Sequence, residues 1–210
     1  MGHRAHSEFQ GRSQLPDPSG RGAQNRVRIA QTAAKLIAEH GLTDWSLAKR
    51  KAARQLMLSE REGLPGDDEI ESALTAYQQL FGGDAHTRRL RAQREEALGW
   101  MEKLAPFRPL LVGGVAAGWA TAHSDIRLEL VAADEKAVAL ALLNLSVSYR
   151  TLHENREGVA DLWFEVATGG VRLTIRSLEA ARQQPRRDRH GNVAVRYDAA
   201  QLAAVLEATT

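Results

Sequence analysis

The apolar residues of this 210-residue chain change their period once, at Pro106, and that change limits what the chain can fold into. Upstream they recur at helical spacing. Val27, Ile29, Ala30, Ala33, Ala34, Ile37 and Ala38 trace one stripe, and His40-Gly41 stops it. In "TDWSLAKRKAARQLML", Thr43 or Asp44 can cap a second helix whose inner face carries Trp45, Leu47, Ala48, Ala52 and Leu56. "GLPGDD" breaks the chain. "DDEIESALTAYQQLF" then reads as a third helix, with its acidic residues at the positive end of the dipole and Gly82-Gly83 after it. "AHTRRLRAQREEALGWMEKLAPF" is a fourth. Trp45, Leu56 and Leu74 are expected to face inward.

Downstream the pattern alternates. "PLLVGG" reads as a short strand and "DIRLELVA" as a half-buried one. "DEKAVALALLNL" is a helix capped by Asp134. "DLWFEVATGGVRLTIRS" is a hairpin turning at Thr168-Gly169-Gly170. "RQQPRRDRHGN" is a polar loop, and "DAAQLAAVLEA" a closing helix. The expected class is α+β: a helical segment of about four helices over 25–105, then a small mixed-sheet α/β domain over 106–210. Residues 1–24 are rich in Gly, Ser, Pro and Arg. They carry too little apolar surface to offset the entropy of ordering, so they are expected to form a disordered arm.

Composition removes several function classes. With no cysteine there is no disulfide scaffold, thiolate zinc site or cysteine nucleophile, which suits a reducing cytoplasm. The seven histidines show no H-x₃-H or H-E-x-x-H spacing, so no metal site is expected from them. Ser46, Ser124 and Ser146 lack the G-x-S-x-G setting of a hydrolase nucleophile. No apolar run approaches the ~20 residues of a membrane helix, and "MGHRAHSEFQ" has no secretory core. A cytoplasmic protein without a membrane partner is expected. The net charge of +2 permits a nucleic-acid partner without requiring one.

One stretch carries chemistry: "LVGGVAAGWATAHSDIRLEL", Leu111 to Leu130. A glycine-rich turn lets backbone N–H groups approach phosphates. Carboxylates two residues apart on a strand share a face and can seat metal ions, often as a pair ~3.5–4 Å apart. Here Asp125 is followed at that spacing by Arg127.

The stretch resembles the nucleotidyltransferase superfamily of the DNA polymerase β type, especially its minimal bacterial members. Their hallmark reads G-S-x-x-x-G-x-A-x-x-x-S-D-x-D. The matching residues are Gly113, Gly114 in place of the serine, Gly118, Ala120, Ser124 and Asp125. The second aspartate of the family falls on Arg127. Its third carboxylate, on the second strand of a hairpin, falls on Arg172 in Val171-Arg172-Leu173. Asp161 and Glu165, on the first strand, are substitute carboxylates. The chain also resembles short proteobacterial nucleotidyltransferase-like proteins sometimes labelled UDP-N-acetylmuramate–alanine ligase. A ligase of that kind needs a G-x-x-G-K-[ST] phosphate loop, which this sequence lacks.

The resemblance implies a nucleotidyltransferase-like fold, and the two arginines imply a degenerate site. Arginine has no lone pair for a metal and does not deprotonate in proteins. The leading expectation is a catalytically degenerate protein without a cofactor. It would bind a nucleotide or other phosphate-type anion through Gly113, Gly114, Gly118, Ser124, Arg127 and Arg172, or hold a macromolecular partner. A second reading is an active metal-dependent enzyme that holds Mg²⁺ on Asp125 with Glu165 or Asp161 as a substitute ligand. A structural alternative pairs Arg127 and Arg172 with Asp125, Glu129 or Glu165. A third function is DNA-binding regulation. "IAQTAAKLIAEHG" resembles the first helix of TetR-type repressors, but "LAKRKAARQLMLSEREGLPG" then reads as one continuous basic helix, whose Lys49, Arg50, Lys51 and Arg54 can meet phosphates. His123 and the loop "PRRDRHG" are further candidates to flank an anion.

Overall fold

The computed structural model describes residues 20–60, 63–155, 159–182 and 194–209. Helix α1 (Arg21–His40) begins four residues before the expected position. Its first turn is closed by Gln24 N–H donating to Gly20 O at 3.0 Å, which residues 21–24 can make without a packing partner. The rest of the expected arm, 1–19, lies outside the described residues. Gly41 ends α1 at φ 65°, a left-handed conformation that favours glycine. Asp44 then caps α2 (Trp45–Gln55) by accepting from Leu47 N–H at 3.0 Å.

The continuous basic helix expected from the sequence is not present. Helix α2 stops at Gln55, and Met57 turns the chain at φ 54° while Leu58 N–H reaches back to Ala53 O at 2.9 Å. Helix α3 (Asp67–Phe81) starts with Asp67, Asp68 and Glu69, and Glu69 accepts from Gly66 N–H at 2.8 Å. Helix α4 (Gly83–Lys103) follows without a loop.

The second half runs β1 (Leu110–Val112), α5 (Gly113–Ala117), β2 (Ile126–Val131), α6 (Glu135–Asn144), β3 (Arg150–Asn155), β4 (Val159–Val166), β5 (Gly169–Arg176), α7 (Leu178–Arg182) and α8 (Ala199–Ala208). The sheet order is β1-β2-β5-β4-β3. Strands β2 and β5 are parallel and the other pairs antiparallel, so the sheet is mixed and the fold is α+β. Strands β2 and β5 alternate in burial, as a sheet with one covered face must. Ile126, Leu128, Leu130, Val171, Leu173 and Ile175 face a core shared with α4, α6 and α8.

The boundary between cores does not follow the change of sequence texture. Trp100 and Met101 of α4 belong to the sheet's core, while α1, α2 and α3 close a separate core around Leu74 and Ile70. The seam therefore lies at the α3–α4 turn. There Gly83 sits at φ 53°, and a Cβ on Gly82 would meet Gln78 O at 2.5 Å. Leu74 is fully buried as expected, whereas Trp45 and Leu56 are half-buried at the edge of the helical core. Among the described residues, no helix is long and apolar enough to cross a membrane.

Candidate functional site

Opposite its core face the sheet carries polar side chains, and strand register lines them up. Arg127 on β2 is the partner of Arg172 on β5. Arg172 is the partner of Trp163 on β4, and Trp163 that of Arg150 on β3. Partners on neighbouring strands share a face and lie ~4.7–4.9 Å apart in the hydrogen-bonding direction. Two guanidiniums are thus placed side by side, with a third beyond the indole.

Each is held differently. Arg172 pairs with Asp161 of β4, whose Oδ1 also accepts from Thr174 Oγ1 at 2.7 Å. Arg150 lies over the Trp163 ring, 4.0 Å from its centroid. Arg127 is exposed and has no ion-pair partner among the described residues. Its charge reaches Glu71 of α3. Burial, aided by Asp67, holds the Glu71 carboxyl above its usual value, and Arg127 opposes that shift. Neither Arg127 nor Arg172 pairs with Asp125, Glu129 or Glu165. Glu129 is taken by Arg176 at 3.3 Å and Arg196 at 3.2 Å, further along the same face.

Asp125 sits just before β2. Its Oδ1 accepts from Trp163 Nε1–H at 3.1 Å. The approach depends on Gly170 at the start of β5, where a Cβ would lie 2.3 Å from that oxygen and 2.4 Å from the indole nitrogen. The turn before Asp125 is tied internally: Thr121 N–H donates to Ser124 Oγ at 2.9 Å, and Gln93 Nε2 donates to Ser124 O at 3.3 Å.

The opposite wall comes from the α1–α2 corner. Together these parts enclose a cleft of about 500 Å³, which includes Gly114, Ser124, Asp125, Arg127 and Arg172 from the sequence-derived set. A volume of that order suits a small ligand. The cleft also takes in Asp44, Trp45, Trp119, His123, Arg150 and Trp163. Trp119 and Trp45 meet with ring centroids 5.4 Å apart. A Cβ on Gly41 would sit 2.5 Å from the His123 ring, so that corner must be glycine for the wall to close.

The other expected residues stand outside the lining. Gly113, at φ 71°, leaves room for the Arg127 side chain, since a Cβ there would be 3.2 Å from Arg127 Cδ. Gly114, which does line the cleft, packs against Trp119, whose ring lies 2.6 Å from where a Cβ would be. Gly118, at φ 90°, ends α5, and its carbonyl accepts from His86 Nε2–H at 3.0 Å. Asp161 is spent on Arg172 and Thr174, and Glu165 is exposed at the hairpin end opposite Gly170. Trp163, Arg150 and Gly170 were not singled out by sequence. Their only signals were the hairpin position of Gly170 and the outward parity of Trp163.

The donor set does not fit a Mg²⁺ site. Such an ion needs near-octahedral oxygen ligation. Among the described residues, no group of three or more His, Asp or Glu side chains is placed to hold a metal. Asp125 accepts from an indole through one oxygen, Asp161 is paired with Arg172, and β5, which carries Arg172, separates β4 of Asp161 from β2, which Asp125 precedes. The basic face of α2 is also partly spent: Lys49 pairs with Asp67 at 2.5 Å and Arg54 with Glu60 at 3.2 Å. The loop "PRRDRHG" lies outside the described residues.

No family model matches this chain, and no curated protein matches it. A solved structure of Cid1 in complex with the UTP analog UMPNPP is similar at 14% identity and a TM-score of 0.33, covering 51% of this chain and 36% of that chain.

Proposed function

We propose that this chain is a catalytically degenerate nucleotidyltransferase-like protein whose cleft binds a nucleotide or another phosphate-type anion without a metal ion. The observation that carries the proposal is the register pairing of Arg127 with Arg172. These are the two positions where the resembling family has carboxylates. At one strand spacing, two guanidiniums can donate to the oxygens of a single phosphate group. Asp161 supports this by holding Arg172 in one orientation, which lowers the entropy cost of binding. The partly enclosed cleft strengthens each contact relative to open water.

Calorimetric titration with a nucleotide in the presence of EDTA tests the reading. Binding is expected without metal and unchanged when Mg²⁺ replaces EDTA. Arg127→Ala is expected to weaken it on the order of tenfold, the value of one charge-assisted contact. The double change Arg127→Asp plus Arg172→Asp is expected to abolish anion binding and to raise Mg²⁺ affinity, because carboxylates then cluster at one point. Binding that appears only with Mg²⁺ would overturn the proposal.

A further inference from the structure

The charged groups of the cleft narrow what it can hold. Three cations line it, Arg127, Arg150 and Arg172, together with two carboxylates, Asp44 and Asp125. Arg172 is already offset by Asp161. Arg127 and Arg150, with no ion pair among the described residues, therefore face two carboxylates, and the cleft is close to charge balance. A bare polyanion is poorly matched to such a site. It gains from two cations and is repelled by two anions in a partly desolvated space.

The two carboxylates are not equivalent. Asp44 is occupied as the cap of α2, accepting from Leu47 N–H at 3.0 Å. Asp125 is fixed through Oδ1 by Trp163, which itself carries Arg150 on its ring. Its second oxygen makes no hydrogen bond among the described residues. Gly170 preserves this arrangement, since any side chain there would collide with the Asp125–Trp163 contact. Such a carboxylate can accept a hydrogen bond but cannot donate one. Trp119, also in the lining, is 6% exposed, and its buried indole N–H has no hydrogen-bond partner among the described residues.

We infer that the cleft selects a singly phosphorylated ligand that also carries a hydroxyl or amino donor, with Asp125 as the specificity-determining group. This rests on the anion-binding reading above and sharpens it. The phosphate meets Arg127 and Arg172. The donor group meets the open oxygen of Asp125. A triphosphate brings more negative charge than the site offsets. A donor-free anion leaves Asp125 unpaired and repelling it.

The test is titration in EDTA with AMP, ribose 5-phosphate, ATP and inorganic sulfate. Sulfate is a doubly charged anion without a donor. At least one of the two monoesters is expected to bind on the order of tenfold tighter than both sulfate and ATP, the size of one hydrogen bond to a charged group. Equal binding of AMP and ribose 5-phosphate assigns recognition to the sugar phosphate; tighter binding of AMP adds the base. Asp125→Asn is expected to strengthen sulfate and close the gap. Trp163→Phe removes the N–H that orients Asp125 but keeps its charge. It is expected to weaken the monoester more than sulfate, and it serves if Asp125→Asn fails to fold. ATP or sulfate binding at least as tightly as either monoester would overturn the inference, as would Asp125→Asn weakening all four alike. Failure of every probe to bind would instead overturn the anion-binding reading itself.

Discussion

Where α1, α2 and α3 meet, six of the buried side chains are alanines: Ala30, Ala33, Ala34, Ala48, Ala52 and Ala53. Around the sheet, the interior is filled by Trp100, Met101, Leu104, Leu128, Phe164 and Leu173. The helical layer closes by bringing backbones near one another. The sheet's core closes by filling volume with large side chains. One region is therefore sensitive to added atoms and the other to removed ones. The cleft lies between them, and Trp119 joins them. It leaves the glycine turn of the sheet half and enters the core of the helical half.

The largest effect should come from emptying the sheet's core. Phe164 is 1% exposed and meets Trp100 edge-on, with ring centroids 4.6 Å apart. Phe164→Ala is expected to cost about 3–5 kcal/mol in urea unfolding. A loss of a few tenths would mean that this core is not packed as described.

Filling the helical core comes next. Ala52 is fully buried between its neighbours. Ala52→Leu is expected to destabilise by about 1–3 kcal/mol through displaced helices. A gain in stability would show an unfilled space there and would erase the contrast between the two cores.

The smallest effect concerns the seam. His86 of α4 donates through Nε2–H to Gly118 O, while its other ring nitrogen is buried without a partner among the described residues. Burial pushes its pKa below the ordinary 6.5, although the Gly118 hydrogen bond opposes that shift. The unfolded chain then takes up a proton more readily than the folded one. The stability concerned is present above pH 6.5 and is lost as the pH falls from there through the lower folded value. Melting temperature against pH should fall less steeply on the acid side for His86→Gln than for the natural protein. Parallel curves would remove His86 from the account.

These contrasts also separate what was readable in the sequence from what was not. The glycine turn, Asp125 and Arg127 were legible because they lie within one short stretch at fixed spacing. The pairing of Arg127 with Arg172 was approachable because a hairpin position named Arg172. Trp163 and Arg150 join the site through cross-strand register, which no local pattern encodes. Strand β3 was missed because "RTLHEN" has almost no apolar alternation; as an edge strand it is held by its ladder to β4. The allegiance of α4 was hidden for a related reason. An apolar stripe says that a helix buries a face, not which core receives it. Residue type alone does not reveal that Arg172 and Thr174 already occupy Asp161, the substitute metal ligand the sequence offers.

Arg127 and Arg172 are proposed to replace a metal-binding pair of carboxylates. Incubation of the natural protein with labelled nucleoside triphosphates, Mg²⁺ and an acceptor tests this most directly, with AMP binding in EDTA followed on a second portion of the same preparation. The expected result is metal-free binding with no labelled product above a protein-free control. Robust Mg²⁺-dependent incorporation, lost on Asp125→Asn, would contradict it.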